Sequence, residues 1–144
     1  MDKHQDDSKI NLEYDIIRND FKRAGEASSD IKSILKKIGI DSKVVRKVAI
    51  VTYEAEMNIV IHSYGGNIKV TIKSNNIIIE AYDRGPGIEN IPLAMKEGYS
   101  TATNEVRELG FGAGMGLPNI NKCADDFKIK STPEGTRLLI TINF

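Results

Sequence analysis

A two-layer α+β sandwich, with a mostly antiparallel sheet packed against helices, is the fold class this sequence predicts. Two apolar stripes at helical spacing come first. They are Ile31, Ile34, Leu35 and Ile38, then Val44, Val48, Val51, Ala55 and Ile59. The period then drops to two at Ile68, Val70 and Ile72, and β-rich runs recur to the C-terminus. Helices early and strands late cover every apolar face if the helices lie on one side of a sheet.

The elements follow in order. Residues 1–9 are charged and polar without periodicity, and are expected to form a disordered tail. Residues 10–144 are expected to form one domain. Residues 10–18 alternate loosely, as an edge strand would. Ser28, Ser29 and Asp30 read as a helix start. Gly39 ends that helix, and Asp41-Ser42 caps a longer one that Gly65-Gly66 stops. Residues 68–72 and 77–82 read as a hairpin around Ser74-Asn75-Asn76. A stretch dense in Gly and small polar residues runs from 83 to 116, with a short helix expected at 91–97. The loop at 88–116 is too long for an ordinary connection and reads as a functional lid or a disordered segment. Residues 118–126 are expected to be helical with Pro118 in the first turn, where its missing N–H does no harm. Strands at 127–131 and 136–144, joined by Pro133-Glu134-Gly135, complete the chain.

Composition excludes several classes. The 144 residues suit a single core. Twenty Lys plus Arg balance twenty Asp plus Glu, which argues against a nucleic-acid partner, since phosphate backbones call for a basic excess. One cysteine, Cys123, provides no disulfide framework. No apolar run reaches membrane-spanning length, and the N-terminus lacks a signal peptide's apolar core. A cytoplasmic protein with no membrane partner is expected.

Four short motifs carry chemistry. Glu54 and Asn58 lie four apart on the long helix and share a face. A carboxylate there can take a proton from a hydroxyl. An amide oxygen one turn on can hold Mg²⁺, a hard cation that prefers oxygen. Alone, Glu-x-x-x-Asn occurs often by chance, and the pair reads first as a solvated polar face of an amphipathic helix. Asp83-Arg84-Gly85-Pro86-Gly87 follows a strand. Gly85 and Gly87 permit a tight turn and close approach to a ligand, and the Asp83 carboxylate can accept from an exocyclic amine. A plain Gly-Pro turn is the alternative. Gly110-Phe111-Gly112-Ala113-Gly114-Met115-Gly116 leads into a helix, and its bare N–H groups and the helix dipole suit phosphates. It is not a Walker A loop, because no Gly-Lys-Ser/Thr follows. The fourth motif is Gly135-Thr136, before the last strand.

Taken in order, these motifs resemble the four boxes of the GHKL ATPases, the superfamily of gyrase, heat-shock chaperone, histidine kinase and MutL proteins. The resemblance covers about residues 10–144. It implies the Bergerat-type ATP-binding fold, with ATP and Mg²⁺ as cofactors. Transducer domains do not fit the length, and neither His4 nor His62 sits on a phosphoacceptor helix. His62 reads as a helix-end residue facing the C-terminal dipole. The wording from Tyr53 to His62 and from Gly112 to Ile120 is similar to the stand-alone anti-sigma-factor serine kinases and their switch-kinase relatives.

That resemblance implies transfer of the ATP γ-phosphoryl group to a serine or threonine of a protein partner. The partner would be an antagonist protein or a sigma-factor-like regulator, and a homodimer is possible. Glu54 would be catalytic and Asn58 would hold Mg²⁺. Asp83, with Thr136 beside it, would read adenine. Gly85 and Gly87 would shape the adenine-side turn, and Gly112, Gly114 and Gly116 would cradle phosphates. The sequence departs from the histidine-kinase pattern in its short lid, 98–110. That lid holds Thr101, Thr103 and Arg107 but no pair of basic clamps. A non-catalytic ATP/ADP-binding module that sequesters a partner is the rival reading, and a ligand-free structural domain is a third.

Overall fold

The structure is a computed structural model that describes residues 9–88, 90–96 and 116–144. The elements are β1 (Ile10–Ile16), α1 (Glu26–Lys37), α2 (Ser42–His62), β2 (Gly66–Ile72), β3 (Asn76–Arg84), α3 (Ile91–Ala94), α4 (Gly116–Cys123), β4 (Asp126–Thr132) and β5 (Gly135–Asn143). Residues 1–8 of the expected tail and the expected lid at 98–110 lie outside the described residues, with Thr101, Thr103 and Arg107. So do Gly112, Gly114 and position 97 of the helix expected at 91–97.

The five strands form one sheet in the order β1-β2-β3-β5-β4. Every neighbouring pair is antiparallel. Alternation puts Ile68, Val70, Ile72, Ile77, Ile79, Ile140 and Ile142 on one face, all buried. Helix α2 lies over that face, and its expected stripe of Val44, Val48, Val51, Ala55 and Ile59 is buried as a unit. Burying one such Val or Ile stabilises by about 1.5–3 kcal/mol. Packing therefore fixes α2, whose many β-branched residues are only fair helix formers. Thr52 fits the same core because its hydroxyl donates back to the Val48 carbonyl, 2.8 Å away. α2 packs against α1 on one flank and α4 on another.

Local signals set most boundaries. Asp41 caps α2 by accepting from the Lys43 N–H at 3.0 Å. Ser63 ends it, donating to the Ile59 carbonyl and accepting from the Gly65 N–H. Gly39, at φ +84°, closes α1 in the left-handed conformation.

Helix α3 ends at Ala94 and β1 at Ile16, short of the expected 97 and 18, and two further boundaries differ for a visible reason. Helix α1 starts at Glu26 rather than after Ser28, and its first residues have no cap of their own: Gly25 at the N-cap offers no side chain. The cap comes from α2. The Glu56 carboxylate, 2 % exposed, accepts from the N–H groups of Gly25, Ala27 and Ser28 at 3.0, 3.3 and 3.1 Å. A buried carboxylate is tolerable there because it meets the orphan donors and the positive end of the helix dipole. Helix α4 begins at Gly116 and ends at Cys123, so Asp126 opens β4 instead of ending the helix. The strand gains that residue because Asp126 pairs with Thr141 of β5.

Candidate functional site

Helix α2 passes between α1 and α4, so its two flanks see different surroundings. Glu54 and Asn58, one turn apart, face α4. A β-carbon on Gly116 would stand 3.3 Å from Asn58 Oδ1 and 3.7 Å from Glu54 Oε1. Glycine at the first turn of α4 thus leaves room for the backbone to approach both side chains, and both are half-buried. Asn119, three residues further along α4, donates its side-chain N–H to Glu54 Oε2 at 2.7 Å. Sequence reasoning left Asn119 without a role, although it stands in the motif wording that carried the resemblance.

The second part of the site lies where β3 meets the β4–β5 hairpin. Asp83 pairs with Thr136 across the sheet, and the Thr136 N–H donates to Asp83 Oδ1 at 3.0 Å. Among the described residues Oδ2 makes no hydrogen bond. Burial pushes the Asp83 carboxyl up to about 6, partly countered by the Thr136 N–H. A half-buried carboxyl with one oxygen unpartnered among the described residues is suited to a neutral or weakly polarised N–H donor such as an exocyclic amine.

The turn after Asp83 is held by backbone and hydroxyl groups. Gly85 N–H donates to the Glu134 carbonyl at 2.6 Å, and the Gly85–Pro86 peptide is cis. Gly87 has φ +88°, and a β-carbon there would collide with the Thr132 carbonyl. Ile88 N–H donates to Ser131 Oγ at 2.6 Å, and Ser131 Oγ lies 2.8 Å from Thr136 Oγ1. Asp83, Gly85, Gly87 and Thr136 are therefore one connected unit. Glu54, Asn58 and Gly116 are another.

Asn58 could hold Mg²⁺ through its amide oxygen. Among the described residues no group of three or more His, Cys, Asp and Glu side chains could hold a metal by itself. Mg²⁺ commonly takes one or two protein oxygens and fills the rest of its octahedron with phosphate oxygens and water.

His62 is the last residue of α2, as expected. Burial lowers its tendency to protonate, the opposite of what a dipole contact alone would do. A separate open groove of about 940 Å³ lies between β1 and the start of α1, lined by Tyr14, Ile16, Asp20, Gly25, Asp30 and Glu56 among others. Among the described residues, none of the sequence-derived site residues lines it. Among the described residues no helix is long and apolar enough to cross a membrane.

The architecture and the site define an α+β domain with one polar helix face and a glycine-bounded turn beneath an antiparallel sheet. Comparison with known proteins places it. Residues 17–142 match the family described as "Histidine kinase-like ATPase domain", and the chain belongs to that family. It is 37% identical to the anti-sigma F factor of Thermoanaerobacter sp. (strain X514) over 61% of this chain and 62% of the relative. It is 29% identical to the serine/threonine-protein kinase RsbT of Bacillus subtilis over 74% of this chain and 78% of the relative. The chain thus spans about 62% of the length of that anti-sigma F factor. The crystal structure of the RsbU and RsbW domains of a Mycobacterium tuberculosis protein shares the fold, with a TM-score of 0.64 and 16% identity over 93% of this chain and 32% of that one.

Proposed function

We propose that this protein is an ATP- and Mg²⁺-dependent serine/threonine-protein kinase of the regulatory switch type, acting on a protein partner in the cytoplasm. Residues 10–144 are the functional unit and residues 1–9 a tail outside it. The observation that carries the reading is the meeting of α2 and α4, where Glu54, Asn58 and Gly116 converge. The names of the relatives, an anti-sigma F factor and a serine/threonine kinase, support a regulatory protein partner. The geometry alone would serve any nucleotide hydrolase.

Each residue has a distinct task. Asp83 accepts from the adenine amine through Oδ2, while Thr136 holds the other oxygen in place. Gly85 and Gly87 keep the floor of that subsite at backbone height. Gly116 lets the start of α4 approach the phosphates, as Gly112 and Gly114 are proposed to do before it. When bound, Mg²⁺ offsets the negative charge that phosphates carry during transfer. Asn58 provides the oxygen that fixes its position. Glu54 accepts the proton of the attacking hydroxyl, or orients that hydroxyl in line.

The test is to mix the protein with Mg²⁺, γ-labelled ATP and purified candidate partners, and to analyse the partner for phosphoserine and phosphothreonine. Label on the partner is expected. A partner that forms a nucleotide-dependent complex yet takes no label makes the protein a sequestering module instead. Absence of any thermal stabilisation by ADP with Mg²⁺ would remove the nucleotide reading altogether, since a ligand at 100 times its Kd adds about 2.7 kcal/mol.

A further inference from the structure

Glu54 is not a free carboxylate, and its partner is a side chain of the helix that follows the glycine-rich motif. From the hydrogen bond between Asn119 and Glu54 we infer that Asn119 is a positioning residue for the phosphoryl-transfer reaction, fixing which oxygen of Glu54 faces the substrate hydroxyl. The inference rests on the kinase reading above.

The argument begins with atoms. Asn119 Nδ2 lies 2.7 Å from Glu54 Oε2. An ionised carboxylate only accepts, so the amide must present its nitrogen, and its own oxygen points elsewhere. A charged acceptor at this distance makes a strong bond. Oε2 is thereby engaged. Oε1 is the oxygen nearest Gly116, on the side where Asn58 Oδ1 also lies. The amide divides the carboxylate into a held oxygen and a working oxygen.

The chain makes this division consequential. A glutamate side chain has three rotatable bonds, and a half-buried one can swing among rotamers. A base must stand within hydrogen-bond reach of the proton it takes, and misplacement by about 1 Å can cost roughly 10²-fold in rate. Asn119 removes that freedom. It also ties the base to the phosphate side of the site: Asn119 lies three residues after Gly116, on the same short helix. The base is thereby tied to the helix that begins at Gly116. Pro118 immediately before Asn119 stiffens that first turn.

The chemistry balances simply. The hydroxyl oxygen of the partner's serine or threonine forms a bond to the γ-phosphorus while the bond from that phosphorus to the ADP oxygen breaks. The hydroxyl proton goes to Glu54 Oε1. Asn119 exchanges no proton, and its N–H stays on Oε2 throughout.

A double-mutant cycle separates positioning from mere packing. N119A, E54Q and the double variant are compared with wild type for single-turnover consumption of Mg-ATP, alone and with a phosphate-accepting partner. Affinity for Mg-ADP and thermal midpoint are measured beside them. N119A is expected to lower turnover about 10- to 100-fold with Mg-ADP affinity within about twofold of wild type. In the E54Q background the same change is expected to have almost no further effect, because the base that Asn119 positions is gone. N119S keeps a donor of shorter reach and should fall between. An N119A chain that turns over at the wild-type rate overturns the inference. So does an equal loss in both backgrounds, which would mark Asn119 as packing only. If wild type itself consumes no ATP in either assay, the kinase reading fails, and the use assigned to Asn119 fails with it. The two failures are told apart by the wild-type rate.

Discussion

Helix α2 carries two glutamates two residues apart, and its opposite flanks put them to different uses. Glu56 is almost fully buried and is met by three backbone N–H groups of the α1 start. Glu54 is half-buried and, among the described residues, is met by one side-chain amide, with its second oxygen toward Gly116. Two residues along a helix is a rotation of about 200°, so neighbours in sequence face away from each other. The lesson is about partners. A carboxylate saturated by backbone donors is an anchor, since nothing can approach it without undoing a helix end. A carboxylate held by a side-chain amide at one oxygen keeps the other for chemistry.

The comparison can be broken in decreasing steps. The largest expected effect is that of Glu54→Gln, which keeps shape and removes charge. Phosphoryl transfer should fall roughly 10²- to 10⁴-fold, while calorimetric affinity for Mg-ATP and thermal stability stay near wild type. Transfer at the wild-type rate would strip Glu54 of its catalytic part.

Glu56→Ala reverses the pattern. It leaves buried N–H groups unmet, at about 1–3 kcal/mol, and should lower the thermal midpoint by roughly 5–10 °C. Turnover per folded molecule should stay within a few-fold of wild type. Unchanged stability, measured by calorimetry, would mean that the cap on α1 contributes nothing.

A smaller effect is expected at Asp83, and its sign can be worked out. The folded carboxyl titrates near 6, above its ordinary value of 3.8. Folding therefore favours the protonated form, and apo stability should decline slightly as pH rises from about 4 to 6, then level off. Adenine binding favours the ionised form, so affinity should weaken as pH falls through about 6. Asp83→Asn should lose both dependences together with much of its adenine affinity. A pH series of ADP binding in the two proteins, equal at every point, would remove Asp83 from the adenine subsite.

The smallest expected effect is at Asp41. Replacing this exposed cap of α2 by alanine should cost about 1 kcal/mol, without touching either glutamate's role. A thermal melt checks it.

Much of this was legible in sequence because it depends on period and punctuation. The α2 stripe, the strand alternation at Ile68–Ile72 and the stops at Gly39 and Gly65 are local signals, and the structure keeps them. The Glu54–Asn58 spacing placed both on one face for the same reason. The trans-acting cap on α1 was not legible. Ser28, Ser29 and Asp30 carry the cap-forming side chains, yet the true cap belongs to Glu56, 28 residues away. Glu56 read as one more polar residue of a motif. Asn119 was quoted without a role because its contact is made across 65 positions. Side-chain pairing between helices has no period to betray it.

The turn at Asp83 bears on how this site could be altered. Gly87 and Gly135 each face a carbonyl oxygen that a β-carbon would strike, and Gly85 has Pro133 O at 2.6 Å from where one would stand. Here main chain packs on main chain with no side chain between to give way. Mutational exploration of this subsite is thus confined to a few positions, chiefly Asp83, Ser131 and Thr136. A library seeking a different base should spend its diversity on those three and leave the glycines fixed.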